Sequence, residues 1–174
     1  MLFQGQYWFY GTHAEKVKRL TSEFDSNKQK LFSYNHEIYQ LAPIVGYLYN
    51  CKSLLNKDNN IDTSIFPEQI SSHRHIFLFN YQLIMLLDKE NEPNFDIRID
   101  KAFRYFGTDK AKDDEELFES YVRGGIDILY EKLIEPSKSP DDYIKNLYEF
   151  VNDFETRYGQ SAEEIRQLCE IGGN

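Results

Sequence analysis

The stretch "FESYVRGGIDILYEKL", residues 118–133, decides the fold class. Its apolar residues recur at intervals of three and four, the spacing of one face of an α-helix. Two adjacent glycines interrupt this pattern, and each costs a helix interior roughly 1 kcal/mol relative to alanine. We therefore expect a packing notch, in which another backbone or an aromatic ring approaches the helix closely. The predicted notch comprises Gly124, Gly125, Phe118 and Tyr121.

Helical periodicity and end signals predict further elements before this helix. Thr12 and Glu15 form a capping-box pattern, which indicates a helix over about 13–24. A second helix includes Pro43, where the missing amide predicts a kink. The aromatic segment 7–10 fits either a strand or an extended arm. The remaining predictions are a polar loop over 56–60, a buried helix from Ser72 to Lys89, and a helix over 97–106 that ends at Gly107.

The C-terminal part of the chain predicts two more helices. Ser139 and Pro140 signal the start of the first, and Gly159 is expected to end it. A second capping box begins a final helix from Ser161 to about Glu170. The sequence thus predicts an all-α, single-domain irregular bundle of six to seven helices over residues 6–174. Residues 1–5 resemble the remnant of a protease cleavage site and are expected to lie outside this domain.

Composition limits the classes of function. The chain has 174 residues and a net charge of −9, and this acidity argues against nonspecific binding of nucleic acid. Its 13 Tyr and 13 Phe predict an aromatic core. The two cysteines, Cys51 and Cys169, lie far apart, which favours free thiols in a reducing cytoplasm. No apolar run approaches the roughly 20 residues that a membrane span requires, so we expect no membrane contact.

Two stretches, "LFSYNHEIYQLAPIVGYLYNCK" and "LFESYVRGGIDILYEKLIE", resemble a family of small proteins encoded beside bacterial DNA-phosphorothioation (dnd) operons. The residues that carry the resemblance are Phe32, Ala42, Gly46 and Tyr47 in the first stretch, and Phe118, Tyr121, Gly124, Gly125, Ile126 and Leu129 in the second. The resemblance covers roughly residues 15–155. It implies a prokaryotic cytoplasmic protein of a DNA-modification or phage-defence island, acting beside larger ATPases or nucleases. It brings no catalytic residue.

The sequence contains little that indicates catalysis. His73 and His75 are two residues apart, so on a helix they point about 200° from each other and cannot share one metal ion. The acidic residues 113–116 and 141–142 lie at predicted helix N-termini, where the helix dipole accounts for them. No phosphate-binding loop and no nucleophile elbow is present. We therefore expect no metal and no cofactor, and an enzyme would be unexpected.

Three hypotheses about function remain. The leading one is a non-catalytic accessory subunit of a DNA-modification or phage-defence system, binding a larger protein such as an ATPase or nuclease. The second is a DNA- or nucleotide-binding module that uses a basic N-terminal helix with aromatic residues beside it. The third is a metal-dependent hydrolase built on His36, His73 and His75. The predicted nucleic-acid contacts of the second hypothesis are Lys16, Lys18, Arg19, Tyr7 and Trp8.

Overall fold

A computed structural model describes residues 2–57 and 59–171, with only the backbone described for residues 158 and 160–171. The described chain is mostly helical, with six α-helices and one two-stranded sheet, so the predicted fold class is confirmed. A π-helical turn, Asp100–Arg104, continues the fourth helix, and a 3₁₀ turn, Asp109–Ala111, precedes the fifth. The elements are β1 (Tyr7–Tyr10), α1 (Gly11–Leu20), α2 (Asn35–Leu48), β2 (Asp62–Ile65), α3 (Pro67–Leu87), α4 (Phe95–Ile99), α5 (Lys112–Leu133) and α6 (Pro140–Ile171).

The aromatic N-terminal segment is a strand. β1 pairs antiparallel with β2, and the register places Tyr7 opposite Ile65 and Tyr10 opposite Asp62. Side chains alternate across the sheet, so Phe9 is buried while Trp8 is exposed. The strand at residues 62–65 is not predicted by its sequence, because "DTSI" has no apolar alternation and pairs with a segment more than 50 residues away.

The chain clusters into two compact units, which are described separately. The first runs to Tyr130 and the second begins at Glu131. The core of the first unit is aromatic, as predicted. Phe3 is 7% exposed, and its ring centroid lies 5.8 Å from those of Phe77 and Phe118. Phe3 therefore contributes to the core of this unit, whereas Gln4 and Gly5 are exposed. The largest fully buried rings are Tyr39, Tyr81, Tyr121, Phe77 and Phe118.

Several predicted helix ends are wrong for local reasons. α1 stops at Leu20 instead of residue 24, because residues 23–30 turn back on themselves and Phe24 N–H donates to the Gln29 carbonyl. α3 begins at Pro67, which suits the first turn of a helix, and not at Ser72. The helix predicted over 97–106 is divided between α4 and the π-helical turn. Gly107 has φ +81°, as a helix-ending glycine requires.

The two predicted C-terminal helices form one. α6 continues through Gly159 to Ile171. A glycine ends a helix when its backbone turns left-handed, whereas a helical glycine costs only about 1 kcal/mol. Good helix formers on both sides of Gly159 outweigh that cost.

Candidate functional site

The paired glycines of α5 are in contact with backbone. A Cβ on Gly125 would lie 1.8 Å from the carbonyl oxygen of Ala42 in α2, and one on Gly124 would lie 2.0 Å from that of Cys51. The contact is reciprocal, since a Cβ on Gly46 in α2 would lie 2.1 Å from the Tyr121 carbonyl oxygen. Phe118 is completely buried close to this contact. The notch therefore accommodates α2 and the segment that follows it, and not an aromatic ring.

The segment after α2 crosses α5 without regular structure. Ser53 N–H donates to the Ser120 carbonyl at 3.0 Å, and Arg123 Nε donates to the Ser53 carbonyl at 2.8 Å. Arg123 is buried, and its guanidinium also pairs with the carboxylate of Glu116. We call residues 51–57 the crossing segment. Its side chains Leu54 and Leu55 are exposed.

A buried carboxylate lies on the same helix. Glu119 accepts hydrogen bonds from the hydroxyl groups of Tyr7, at 2.5 Å, and Tyr39, at 2.7 Å, one on each oxygen. Burial raises the pKa of Glu119, although the two phenols and the nearby Arg123 act in the opposite direction. Burial also raises the pKa of both tyrosines, and the Glu119 charge adds to this effect. This cluster joins β1, α2 and α5.

A second polar cluster surrounds Asp127 near the end of the first unit. Lys16 Nζ lies 2.7 Å from its Oδ1, His13 Nε2 lies 3.4 Å from the same oxygen, and the Ser53 hydroxyl donates to Oδ2. Burial alone would raise the pKa of Asp127, but these three donors hold it well below its usual value. His13 is buried, and its Nδ1 has no hydrogen-bond partner among the described residues.

Two clefts lie beside this cluster and share Thr12 and Lys16. The larger, which we call the basic cleft, has a volume of about 580 Å³, and the smaller has about 420 Å³. The basic cleft is lined by Thr12, Glu15, Lys16, Lys18, Arg19, Ile61 and Tyr130. The smaller cleft is lined by Thr12, His13, Lys16, Ser53, Leu54, Leu55, Asn56 and Asp127.

The structure separates the predicted nucleic-acid contacts. Lys18 and Arg19 are exposed on α1, whereas Lys16 is paired with Asp127. The Tyr7 hydroxyl is bound to Glu119 and its ring packs on Tyr39 with centroids 4.4 Å apart, so Tyr7 does not offer a free face to a base. Trp8 is exposed on β1.

The histidines proposed for a metal site are arranged differently. The rings of His36 and His73 stack with centroids 4.1 Å apart, and Tyr34 also stacks on His36, with centroids 5.3 Å apart. His73 Nδ1 is 2.9 Å from the Gln69 carbonyl oxygen. Within residues 2–57, 59–157 and 159, whose side chains the structure describes, no three side chains of His, Cys, Asp or Glu are grouped so that they could hold a metal ion.

The stacked histidines predict a loss of stability in mild acid. Burial lowers the pKa of His36, and the neighbouring His73 acts in the same direction, while Glu37 opposes them. The stability that neutral His36 contributes is fully present above its unfolded pKa of 6.5 and is lost as the pH falls from there through the lowered pKa of the folded state. His36→Phe keeps an aromatic ring in the stack, so its melting temperature should change less than that of the wild type between pH 7.5 and 5.5. Equal changes in both proteins would contradict this assignment.

α3 has apolar side chains on opposite sides. Its inner side is buried in the core. Its outer side has four apolar residues at intervals of three and four, and Phe79 is 61% exposed there and Leu87 44%. We call this surface the α3 outer face. It comprises Ile76, Phe79, Leu83 and Leu87.

Comparisons with known proteins found no similar chain: no protein-family model, no curated protein and no solved structure matches the sequence. Among the described residues, no helix is both long enough and apolar enough to cross a membrane.

Proposed function

We propose that this protein is a non-catalytic accessory subunit that binds a larger protein partner through the α3 outer face. The observation that carries the proposal is the exposure of Phe79 and Leu87 on a helix whose opposite side is buried. A helix that is apolar all round is normally buried all round, and exposed apolar patches mark interaction sites. Aromatic residues are enriched in the cores of such interfaces.

The biological setting rests on the resemblance of the α2 and α5 sequences to proteins encoded beside DNA-phosphorothioation operons. In that setting the partner is a larger ATPase or nuclease of a DNA-modification or phage-defence system. Charge complementarity supports a partner of this class. The chain has a net charge of −9, and a protein that handles DNA has basic surfaces to which an acidic protein can bind. Opposite charges on two partners speed their encounter and disfavour wrong partners.

Two serine substitutions on the α3 outer face test the proposal. Phe79→Ser with Leu83→Ser removes apolar area from the contact, so a partner that copurifies from the native host should be lost or bind at least about tenfold more weakly. The melting temperature should change little, since Phe79 is exposed and Leu83 is only partly covered. The measurement is the recovery of the partner on the tagged protein at fixed salt.

A matched control lies on α6, where Ile144 and Val151 are 52% and 55% exposed. Ile144→Ser with Val151→Ser removes similar apolar area elsewhere and should leave partner recovery unchanged. Sedimentation of the purified protein adds a separate check: a dimer abolished by the Phe79 and Leu83 changes would show that a second copy covers the face. That result, or repeated purification without a stoichiometric partner, would overturn the proposal.

A further inference from the structure

The basic cleft between α1 and Tyr130 of α5 is separate from the α3 outer face and from the buried Glu119 cluster. Its volume of about 580 Å³ falls within the range of roughly 300–1,000 Å³ in which proteins hold small ligands. The residues that line the cleft come from α1, from Ile61 before β2 and from α5. A ligand there would touch three separate parts of the chain.

The cleft carries free positive charge in an acidic protein. Lys18 and Arg19 are exposed, and neither side chain is paired with a carboxylate among the described residues. Two carboxylates lie near these cations. Lys16 balances the charge of Asp127, and Glu15, which accepts a hydrogen bond from the Asn59 amide at 2.9 Å, keeps its negative charge. Lys18 and Arg19 together outweigh Glu15, so the cleft keeps a net positive charge, and a guanidinium group can bind two phosphate oxygens at once.

The lining of the cleft also includes one aromatic ring, that of Tyr130. Tyr130 is partly exposed, and Lys16 Nζ lies 5.5 Å from its ring centroid. A cation held beside an aromatic ring provides a surface on which a planar group can stack while its phosphate reaches Lys18 and Arg19. The hydroxyl of Thr12 lines the same cleft and can donate to a further oxygen.

We infer that the basic cleft binds a small phosphorylated ligand that carries an aromatic ring, of the class of a nucleoside diphosphate. A small ligand fits better than a nucleic-acid strand for an electrostatic reason. A strand would continue beyond Lys18 and Arg19 over the surface of a protein whose net charge is −9, and each further phosphate would be repelled. A nucleoside diphosphate places its charge only where the cations are.

The test measures the binding of ADP to the whole protein by calorimetry and by the shift in melting temperature at physiological ionic strength. Adenosine and inorganic phosphate are the component probes, and a single-stranded oligonucleotide is the polyanion probe. ADP should bind more tightly than adenosine, phosphate or the oligonucleotide. Lys18→Glu with Arg19→Glu should weaken ADP at least about tenfold, because two cationic contacts become repulsive. Tyr130→Leu should weaken ADP but not inorganic phosphate.

A charge-matched control distinguishes the loss of contacts in the cleft from a general effect of the protein's net charge on ADP binding. Lys89→Glu with Lys138→Glu makes the same change in charge at two exposed lysines outside the cleft and should leave ADP binding unchanged. Equal weakening in both double variants, no ADP binding by the wild type, or tighter binding of the oligonucleotide than of ADP would each overturn the inference. None of these outcomes bears on partner binding at the α3 outer face, because the two surfaces share no residue.

Discussion

Gly125→Ala is expected to destabilise the first unit by about 3 kcal/mol or more, and to prevent folding if the wild type is only marginally stable. The added Cβ would lie 1.8 Å from the carbonyl oxygen of Ala42 and 2.5 Å from its carbonyl carbon. Both atoms belong to the backbone of α2, so no side-chain rotation relieves the overlap. α2 would have to move away from α5 along the whole contact. Urea unfolding or thermal melting measures the loss.

Gly159→Ala is the matched control, because it makes the same chemical change in a helix without the close contact. The nearest atom to its Cβ is the Glu155 Cγ at 3.5 Å, an ordinary contact with a flexible side chain. Alanine is the better helix former, so this variant should be unchanged or stabilised by up to about 1 kcal/mol. If Gly125→Ala behaved like Gly159→Ala, the contact between α2 and α5 would be looser than the structure indicates.

The glycine notch shows how far sequence reasoning reaches. The cost of two glycines within a helical pattern predicts a close approach to α5, and the structure has one. The sequence does not determine whether backbone or an aromatic ring contacts these glycines. The contacting groups, Ala42 and Cys51, lie more than 70 residues earlier in the chain. β2 was missed for a related reason. Its four residues form a strand because they pair with β1, and they lack the alternation of apolar and polar residues that would predict a strand.

The polar clusters were harder to foresee than the helices. Glu119 in "FESY" reads as one of many acidic residues on an acidic chain, and nothing local reveals that two phenols more than 75 residues away surround it. Lys16 reads as a free cation for the same reason, although Asp127 binds it. Periodicity reports which face of a helix is buried, whereas pairing between distant polar groups depends on how the helices pack. A charged residue that falls beside an apolar stripe, as Glu119 does beside Phe118, is the one sequence signal for such a cluster.

Glu119→Ala is expected to lower the free energy of unfolding by about 3 kcal/mol or more, because it leaves the buried hydroxyl groups of Tyr7 and Tyr39 without their acceptor. An unsatisfied buried hydroxyl costs roughly 1–3 kcal/mol, and the lost side chain adds a cavity. Tyr39 is 1% exposed, so water cannot readily replace the carboxylate. Thermal melting and urea unfolding at neutral pH measure the loss. Glu131→Ala, at an exposed position on the same helix, is the control and should have little effect.

Glu119→Gln separates the charge of the carboxylate from its shape. Because burial raises the folded pKa of Glu119, its protonated form stabilises the fold below the unfolded pKa of 4.5, and this contribution falls as the pH rises through the folded pKa. Glutamine does not titrate. The advantage of the wild type over Glu119→Gln should therefore be largest in mild acid and should shrink as the pH rises toward neutrality. A difference that grows with pH would show that the ionised carboxylate is the better partner for the two phenols.

Removing the phenols tests whether unsatisfied hydroxyl groups cause the loss. Tyr7→Phe with Tyr39→Phe deletes both donors, so in the Glu119→Ala background neither position carries a hydroxyl group that lacks an acceptor. Replacing both members of a hydrogen bond by apolar groups is far less costly than removing one. The triple variant should therefore be more stable than Glu119→Ala alone, although it lacks more polar atoms. In a mutant cycle this appears as a coupling energy of about 1–3 kcal/mol, whereas additive effects would mean that the cavity accounts for the whole loss.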